Sequence, residues 1–575
     1  MTSCFLPNPD AEYDAIVVGT GISGGWAAKE LCENGLKTLV LERGRMVEHP
    51  QDYTTANLDP WDMPNGGRAS RETRIKKHKQ HRTGYVTREG HQHFFVDDQK
   101  HPYNEDRRFD WIRGYHVGGR SLMWGRQSYR MGDIDFEANK KDGIAVDWPV
   151  RYADIKEWYD YVEEYIGVSG TNLGLDILPD GKFLKPMNLN CVEEHLQGKI
   201  AEEFDDGRVL TIGRTAHITE GTKPGKGRSQ CLYRNRCMRG CPYGAYFSSN
   251  SSTLPAAEAT GNMTLRPNSI VYEVIYDDET QQATGVKVID TETKEKMEFK
   301  AQIIFLCASA VASTSILLQS KSDRFPNGLG NDSGELGHNM MDHHFRVGAR
   351  GKATGLGFDD KYFKGRRANG IYIPRFRNLG GKTDVAEFKR GYGYQGGANR
   401  GAYGDMVAEM KYGPKLKEMI LKPGEWSMNL LAFGETLPDH SNRMYLDYDK
   451  LDEWGLPTVT FDADFGPNEL AMREDMKAQA VAMLEAGGFT DIETYDDIGG
   501  MGLGIHEMGT ARMGRDPKTS VLNKWNQVHA CKNVYVTDGS FMTSAGCHNP
   551  SLGYMAFTAR AANHAAEQFK KMKEA

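Results

Sequence analysis

The 575-residue chain has no run approaching 18 apolar residues, about the length that marks a membrane-spanning helix. Its first residues, MTSCFLPNPDAEYD, lack the basic and then apolar order of a secretory signal. It has no basic surplus either, because 71 Lys and Arg stand against 78 Asp and Glu, for a net charge of −7. These absences predict no direct membrane insertion, no export signal in this chain and no nucleic-acid partner.

Cysteine is sparse, and its nine residues argue against a disulfide scaffold because they are odd in number and mostly scattered. Three of them, Cys231, Cys237 and Cys241, crowd into an arginine-containing loop over 229–245, with Pro242 directly after the last. Thiolates clustered in this way are typical of iron–sulfur segments, and three ligands suit a cluster that lacks one iron. A zinc site with an unplaced fourth ligand and a structural loop without metal stay open as alternatives.

What the N-terminal region does contain is a nucleotide-binding pattern. The apolar run 14–19 predicts a strand, residues 22–34 a helix, and 37–42 a second strand that ends on an acid. Gly19, Gly21 and Gly24 form G-x-G-x-x-G at the junction, where backbone must turn tightly and approach a pyrophosphate. Glu42 is placed to accept hydrogen bonds from ribose hydroxyls. This unit serves both FAD and NAD, and its N-terminal position in a long chain favours FAD.

The length predicts two intertwined domains. Aromatic and aliphatic residues three and four apart predict a helix over 152–166, and alternating runs predict strands within 263–308. Further helices are expected over 309–320, 468–486 and 552–570. Residues 66–110, rich in Gly and charged side chains without periodicity, are expected to form a solvated surface excursion.

Three further segments carry a family resemblance. They are VGGRSLMWG at 117–125, GIHEMGT at 504–510, and DGS at 538–540 with HNPS at 548–551. With the N-terminal unit, the chain resembles the GMC (glucose–methanol–choline) oxidoreductases, flavoenzymes that oxidise alcohols and sugars. The layout is most similar to that of glycoside 3-dehydrogenase and pyranose 2-oxidase-like flavoproteins.

The resemblance implies an α/β fold: a Rossmann-like FAD-binding domain with an intertwined α+β substrate domain built on an antiparallel sheet, as in p-hydroxybenzoate hydroxylase. The implied FAD-binding domain is discontinuous and takes residues 1–60, 100–150, 215–345 and 496–575. The substrate-binding domain and its excursions take residues 61–99, 151–214 and 346–495.

The resemblance also assigns cofactor contacts beyond the N-terminal glycines and Glu42. Met123 occupies the position through which some relatives attach flavin by a histidine, so the FAD is expected to be non-covalent. The implied contacts are Gly118, Gly119, Ser121, Trp124, Val271, Asp538, Gly539, Asn549, Pro550 and Ser551.

The implied catalytic pair is His506 and Asn549. A histidine can take the hydroxyl proton of an alcohol near neutral pH, and Asn549 would hydrogen-bond the same oxygen. His548 is the rival base because it lies beside Asn549, but neighbours in an extended segment point opposite ways. If Asn549 faces the flavin, His548 is expected to turn toward the cavity wall or away from the cavity.

The predicted activity is oxidation of a secondary ring hydroxyl of a sugar or glycoside to a ketone, with C3 as the candidate carbon. The three-cysteine spacing also resembles that of catalytic subunits that carry a 3Fe–4S iron–sulfur cluster and pass electrons to a c-type cytochrome. An oxygen-using pyranose oxidase and a catalytically silent flavoprotein subunit are the alternatives. Relatives are often exported with a small signal-bearing subunit, so periplasmic and cytoplasmic locations both fit.

Overall fold

The computed structural model describes residues 5–361, 367–400, 407, 410, 412–421 and 424–575. The described strands are β1 Tyr13–Val18, β2 Thr38–Leu41, β3 Asn104–Glu105, β4 Thr211–Ile212, β5 Met263–Arg266, β6 Ser269–Asp277, β7 Gln282–Asp290, β8 Lys296–Leu306, β9 His344–Lys352, β10 Ile371–Ile373, β11 Tyr392–Arg400, β12 Trp426–Gly434, β13 Arg443–Leu451, β14 Pro457–Asp462, β15 Thr490–Asp496, β16 Gln527–Val528 and β17 Cys531–Val536.

The described helices are α1 Ile22–Glu33, α2 Arg71–Lys76, α3 His78–Arg82, α4 Asp133–Phe136, α5 Ala138–Asp142, α6 Tyr152–Ile166, α7 Cys191–Glu203, α8 Thr253–Ala259, α9 Ala310–Gln319, α10 Pro414–Leu421, α11 Pro467–Ala486 and α12 Ser551–Glu574. The predicted helix over 152–166 is confirmed residue for residue, and those over 309–320, 468–486 and 552–570 are confirmed with small shifts at their ends.

A parallel sheet in the order β17-β8-β1-β2-β5 forms one half of the protein. Residues 15–18 of its central strand β1 are apolar because both faces are covered: Ile16 and Val18 join one core cluster, while Ala15 and Val17 join another. Strands β6 and β7 extend the sheet antiparallel from β8. The N-terminal strand–helix–strand prediction is confirmed in β1, α1 and β2.

The second sheet is antiparallel and has the order β15-β9-β12-β11-β10-β4. Helix α11 covers one face of it and buries Met472, Met476, Ala480 and Met483 completely, at the helical spacing of four, four and three residues. A parallel nucleotide-type sheet joined to an antiparallel sheet confirms the predicted fold class.

The expectation for residues 66–110 needs one correction, because a minority of its residues is buried although most of the segment is exposed or half-buried. Gln80, Phe94 and Asp98 are each less than 5% exposed. The Asp98 carboxylate accepts hydrogen bonds from the backbone N–H groups of Lys79 and Gln80, at 2.8 and 3.1 Å. Charged residues in this segment therefore satisfy buried backbone, a role that composition alone does not reveal. Within the described residues, no helix is long and apolar enough to cross a membrane.

A buried ion pair links helix α6 to Arg130, which precedes the helix in the chain. Arg130 and Glu163 have fully buried side chains, and the guanidinium donates to both carboxylate oxygens at 2.9 and 2.5 Å. Arg130 also donates to Asp160 at 2.5 Å and to the Tyr152 hydroxyl at 2.9 Å.

Replacing Arg130 with Ala should lower the free energy of unfolding by about 3–5 kcal/mol, because Glu163 is left as an uncompensated buried charge. The midpoint of urea denaturation measures this loss, and Arg130→Ala/Glu163→Leu should recover part of it. Lys76→Ala, which breaks an exposed pair with Glu72, serves as the control and should leave the midpoint in place. Equal midpoints for Arg130→Ala and the control would contradict the assignment.

Candidate active site

One cavity of about 460 Å³ connects the carboxyl ends of β1, β2 and β8 with the antiparallel sheet, which contributes Phe345, Gln395 and Phe433. Gly24, Gly118, Pro550 and His548 do not line it. The predicted site residues that line it are Gly19, Gly21, Glu42, Gly119, Ser121, Trp124, Val271, His506, Asp538, Gly539, Asn549 and Ser551.

The three glycines of the turn differ in the space that an added Cβ would have. A Cβ at Gly19 would lie 2.6 Å from the Cys307 carbonyl oxygen, and φ is +96° there. A Cβ at Gly24 would lie 1.9 Å from the Gly19 carbonyl oxygen. A Cβ at Gly21 would meet nothing within 4 Å, although the residue lines the cavity. The outer two glycines therefore allow close packing, whereas Gly21 keeps the start of α1 open to a ligand.

Glu42 joins the turn to the end of β2. Its carboxylate accepts from the Thr20 backbone N–H at 3.1 Å, the Thr20 hydroxyl at 2.5 Å and the Gly44 N–H at 2.9 Å. Burial raises its pKa, and these hydrogen bonds oppose that shift. A carboxylate offers about four acceptor positions, so one remains for a hydroxyl in the cavity.

The segment 117–124 packs directly against the glycine turn. The Gly118 N–H donates to the Thr20 hydroxyl at 2.9 Å, and the Ser121 hydroxyl donates to the Gly118 carbonyl at 2.5 Å. A Cβ at Gly118, where φ is +88°, would overlap Asn250 Oδ1 at 1.6 Å. Gly118 is thus required by the close approach of Asn250 rather than by the cavity, and no sequence motif pointed to Asn250.

Asp538 follows β17 and is 4% exposed. It accepts from the Ser540 N–H at 3.1 Å and hydroxyl at 2.7 Å, and from the Ser313 hydroxyl at 2.5 Å. Burial raises its pKa against these donors. Ser551 starts the 24-residue helix α12 and also lines the cavity, so a helix N-terminus faces this region.

His506 lies at the far end of the cavity, and its ring contacts a second histidine. The Nδ1 atoms of His506 and His343 are 2.9 Å apart, and the two rings meet edge to face. His343 Nε2 lies 2.8 Å from the Gly546 carbonyl oxygen. Burial lowers the pKa of His343 to about 4 and that of His506 well below its usual range, so both rings are neutral at pH 7.

These contacts fix which nitrogen of each ring carries the proton. A carbonyl oxygen only accepts, so His343 Nε2 must donate to Gly546. A neutral His343 then has no proton on Nδ1, which accepts from Nδ1–H of His506. The remaining nitrogen of His506, Nε2, carries a lone pair on a ring that lines the cavity. The arrangement leaves His506 as a proton acceptor.

Asn549 is oriented in a comparable way by a residue of β11. Gln395 Nε2 donates to Asn549 Oδ1 at 2.5 Å, and both side chains line the cavity. With its oxygen engaged, Asn549 has its Nδ2 amide as the free donor. His506 and Asn549 thus supply one acceptor and one donor to the same cavity.

His548 lies outside the cavity. It is 1% exposed, its Nδ1 lies 3.7 Å from Asp135 Oδ2, and neither ring nitrogen has a hydrogen-bond partner among the described residues. This placement agrees with the expectation that neighbours in an extended segment face opposite ways.

Sequence analysis did not identify several residues of the site. Asp342 accepts from the N–H groups of Gly502, Gly504 and His506 at 2.9, 2.7 and 3.0 Å, and so holds the loop that carries His506. Burial, together with the charge of Glu507, raises the pKa of Asp342 to about 7. The run Asp-His-His at 342–344 is the feature of the sequence that could have drawn attention to these residues.

The cysteine loop does not form the predicted ligand set. Cys231, Cys237 and Cys241 are free thiols, and among the described residues no group of three or more His, Cys, Asp or Glu side chains is arranged to hold a metal ion. Cys237 Sγ lies 3.6 Å from His217 Nε2. Burial, with a smaller contribution from the two neighbouring thiols, raises the pKa of Cys231 to about 11. The predicted iron–sulfur cluster is therefore not supported by this arrangement.

Comparison with known proteins agrees with this architecture. The chain is 26% identical over 572 residues to the fructose dehydrogenase large subunit of Gluconobacter japonicus, covering 97% of this chain and 98% of that one. It is 26% identical over 568 residues to paromamine 6'-oxidase of Streptomyces fradiae, covering 96% and 91%. Among solved structures, formate oxidase of Aspergillus oryzae matches with a TM-score of 0.59 at 15% identity, covering 98% of this chain and 100% of that one.

Two family models described as GMC oxidoreductase match residues 13–345 and 438–558. The first alone spans more than half of the chain, and the two together include the glycine turn, Asp342, His506 and Asn549. The chain therefore belongs to the GMC oxidoreductase family.

Proposed function

We propose that the protein is an FAD-dependent oxidoreductase that converts a secondary ring hydroxyl of a sugar or glycoside to a ketone. The observation that carries this proposal is the pairing of a hydrogen-bond acceptor, His506 Nε2, with a donor, Asn549 Nδ2, in one cavity. A hydroxyl group donates and accepts at the same oxygen. An alcohol therefore complements both groups, while an ether or a carbonyl complements only the donor.

The residues that line the cavity support FAD as the bound cofactor. Gly21 leaves open space at the N-terminus of α1, where a pyrophosphate would lie, and Glu42 retains an acceptor position for ribose. Asp538, Gly539 and Ser551 would hold the middle of the cofactor, and the segment from Gly119 to Trp124 would lie along the flavin.

A bound flavin would supply the acceptor for the hydride of the alcohol carbon. His506 Nε2 takes the hydroxyl proton, and Asn549 holds the oxygen during this transfer. Met123 lines the cavity and is 7% exposed, and its thioether offers no nucleophile for attachment. The FAD is accordingly proposed to be non-covalent.

The remaining lining supports a polyhydroxylated substrate. Gln127 and Arg126 bring further hydrogen-bonding groups into the cavity, and Gln127 is fixed by a bond from its Nε2 to Asn369 Oδ1 at 2.8 Å. Phe345 and Phe433 stack at 5.0 Å and give an apolar wall. Polar groups beside aromatic faces match the two surfaces of a sugar ring. Oxidation at C3 is proposed from the family resemblance, and NMR of the product identifies the carbon.

The electron acceptor is proposed to be a redox protein, since one relative is named as the large subunit of a dehydrogenase. Oxygen is the second candidate, because another relative is named an oxidase. Anaerobic reduction by sugar followed by admission of oxygen separates the two. Slow reoxidation without peroxide is expected, and rapid peroxide formation would instead establish an oxidase.

Changing His506 to Ala should abolish the proton acceptor and slow sugar-dependent flavin bleaching by about 10²–10⁴-fold. The measurement is anaerobic stopped-flow absorbance of the yellow enzyme. His548→Asn is the matched control and should keep its rate within about threefold, because His548 does not line the cavity. Full bleaching in His506→Ala would refute the base, and absence of bleaching in the native enzyme with every sugar tested would favour the silent subunit.

Changing His343 to Leu should lower kcat by about 10–100-fold with little change in KM, because Nδ1–H of His506 loses its acceptor. His343→Gln restores an acceptor oxygen and should recover most of the rate.

In the native enzyme kcat/KM should stay level from pH 8 to below pH 6.5, since the pKa of His506 is lowered. Burial is the main cause of that lowering, so His343→Leu should also keep its acid limb below pH 6.5. Equal rates for the His343→Leu and His343→Gln variants would show that His343 contributes only packing.

A further inference from the structure

Four arginines line the active-site cavity, and Arg126 differs from the other three in its charge environment. Each of the other three has a carboxylate partner, whereas Arg126 forms no ion pair with any carboxylate of the described residues. The three pairs are Arg43–Asp452 at 3.5 Å, Arg113–Asp98 at 3.3 Å and Arg120–Glu507 at 2.9 Å.

The Arg126 side chain is buried, and most of its donors are unused. The residue is 8% exposed. Within the described part of the chain its guanidinium makes one hydrogen bond, from Nη1 to the Trp124 carbonyl, and its buried Nε has no acceptor. A guanidinium has five N–H donors, and a charge withdrawn from water is stable only when it is paired. An unpaired guanidinium at a cavity wall therefore indicates an anionic ligand.

The ionisable groups around Arg126 do not balance its charge. Its guanidinium lies 5.5 Å from the centre of the Tyr246 ring, and burial raises the pKa of that phenol well above its usual range. Burial lowers the pKa of His217 well below its usual range, and it raises the pKa of the Cys237 thiol. All three groups are consequently neutral at pH 7.

The carboxylates that line the cavity are engaged elsewhere. Glu42 and Asp538 accept hydrogen bonds from hydroxyls and backbone N–H groups of their own loops. Asp452 and Glu507 pair with two of the other lining arginines. The positive charge of Arg126 is thus left for a molecule that enters the cavity.

Arg126 lies toward the catalytic end of the cavity. The next residue, Gln127, donates from Nε2 to Asn369 Oδ1 at 2.8 Å. Strand β10, which follows Asn369, pairs with β11 so that Tyr372 lies opposite Gln395. Gln395 is the residue that orients the catalytic amide. A ligand bound by Arg126 can therefore also reach the groups that hold the reacting hydroxyl.

We propose that the substrate is an acidic sugar, namely a uronic acid or its glycoside, and that Arg126 binds its carboxylate. This inference rests on the proposed function, in which His506 and Asn549 bind the hydroxyl that reacts. The planar fork of guanidinium donors matches the two oxygens of a carboxylate. A phosphate ester carries a charge of about −1.5 to −2 at neutral pH. One unpaired guanidinium balances a carboxylate more closely than it balances a phosphate.

The kinetic test measures anaerobic flavin reduction in the purified holoenzyme with methyl glucuronide, methyl glucoside and glucose 6-phosphate. The second-order rate constant of the native enzyme should be highest with the glucuronide. Arg126→Gln should lower that constant by about 100-fold and change the constant for the glucoside by less than about threefold. Arg126→Lys keeps the charge without the planar fork and should give an intermediate value.

Arg350→Gln is the matched control, because Arg350 lies on β9 in an exposed pair with Glu493. This variant should keep the native preference for the glucuronide. An equal loss with both glycosides in Arg126→Gln would mean that Arg126 acts on flavin reduction instead of substrate choice. A native preference for glucose 6-phosphate would mean that the site takes a phosphate. Either result, or an unchanged glucuronide rate in Arg126→Gln, would overturn the proposal.

Binding without turnover is measured with cyclohexanecarboxylate, which has no hydroxyl to oxidise, and with its neutral counterpart cyclohexanecarboxamide. In calorimetric titration of the oxidised holoenzyme, Arg126→Gln should weaken carboxylate binding by about tenfold and leave carboxamide binding unchanged. If no sugar reduces the flavin but this difference persists, the proposed function fails and the carboxylate site stands. If sugars reduce the flavin and the native enzyme binds both probes equally, the proposed function stands and the carboxylate site is refuted.

Discussion

The hydrogen bond from His506 Nδ1 to His343 Nδ1 is the interaction on which the site depends. It assigns the proton of His506 to the nitrogen that faces the protein and leaves Nε2 basic toward the cavity. Its direction is set by a backbone carbonyl, that of Gly546, which cannot donate. Because the Gly546 carbonyl fixes the proton of His343 on Nε2, the contact between the two rings makes His506 Nε2 the proton acceptor.

Both sheets are needed to build this arrangement. His343 immediately precedes β9 of the antiparallel sheet, and Gln395 lies within β11 of the same sheet. The glycine turn and Asp538 belong to the parallel sheet and its loops. The Asp342 carboxylate binds three backbone N–H groups of the His506 loop, so it couples the start of β9 to that loop. Residues of both sheets and of their loops thus form the cavity together.

Sequence analysis predicted the features that depend on local pattern and missed those that depend on contacts between residues far apart in the chain. Glycines 19, 21 and 24 and the helix over 152–166 were readable because turn geometry and periodicity are local. His343, Gln395 and Asp342 were not, since their roles come from contacts across 154–164 residues of chain. The buried part of residues 66–110 was missed because Asp98 satisfies buried backbone N–H groups within a segment of polar composition. The spacing of Cys231, Cys237 and Cys241 suggested a ligand set that the loop does not assemble.

The tautomer of His506 tests the account most directly. Two-dimensional ¹⁵N–¹H NMR of histidine-labelled holoenzyme at pH 7 reports which ring nitrogen carries the proton, with His506→Ala identifying the signals. The account predicts a neutral ring with its proton on Nδ1 and an unprotonated Nε2. A proton on Nε2, or a charged ring at that pH, would contradict it.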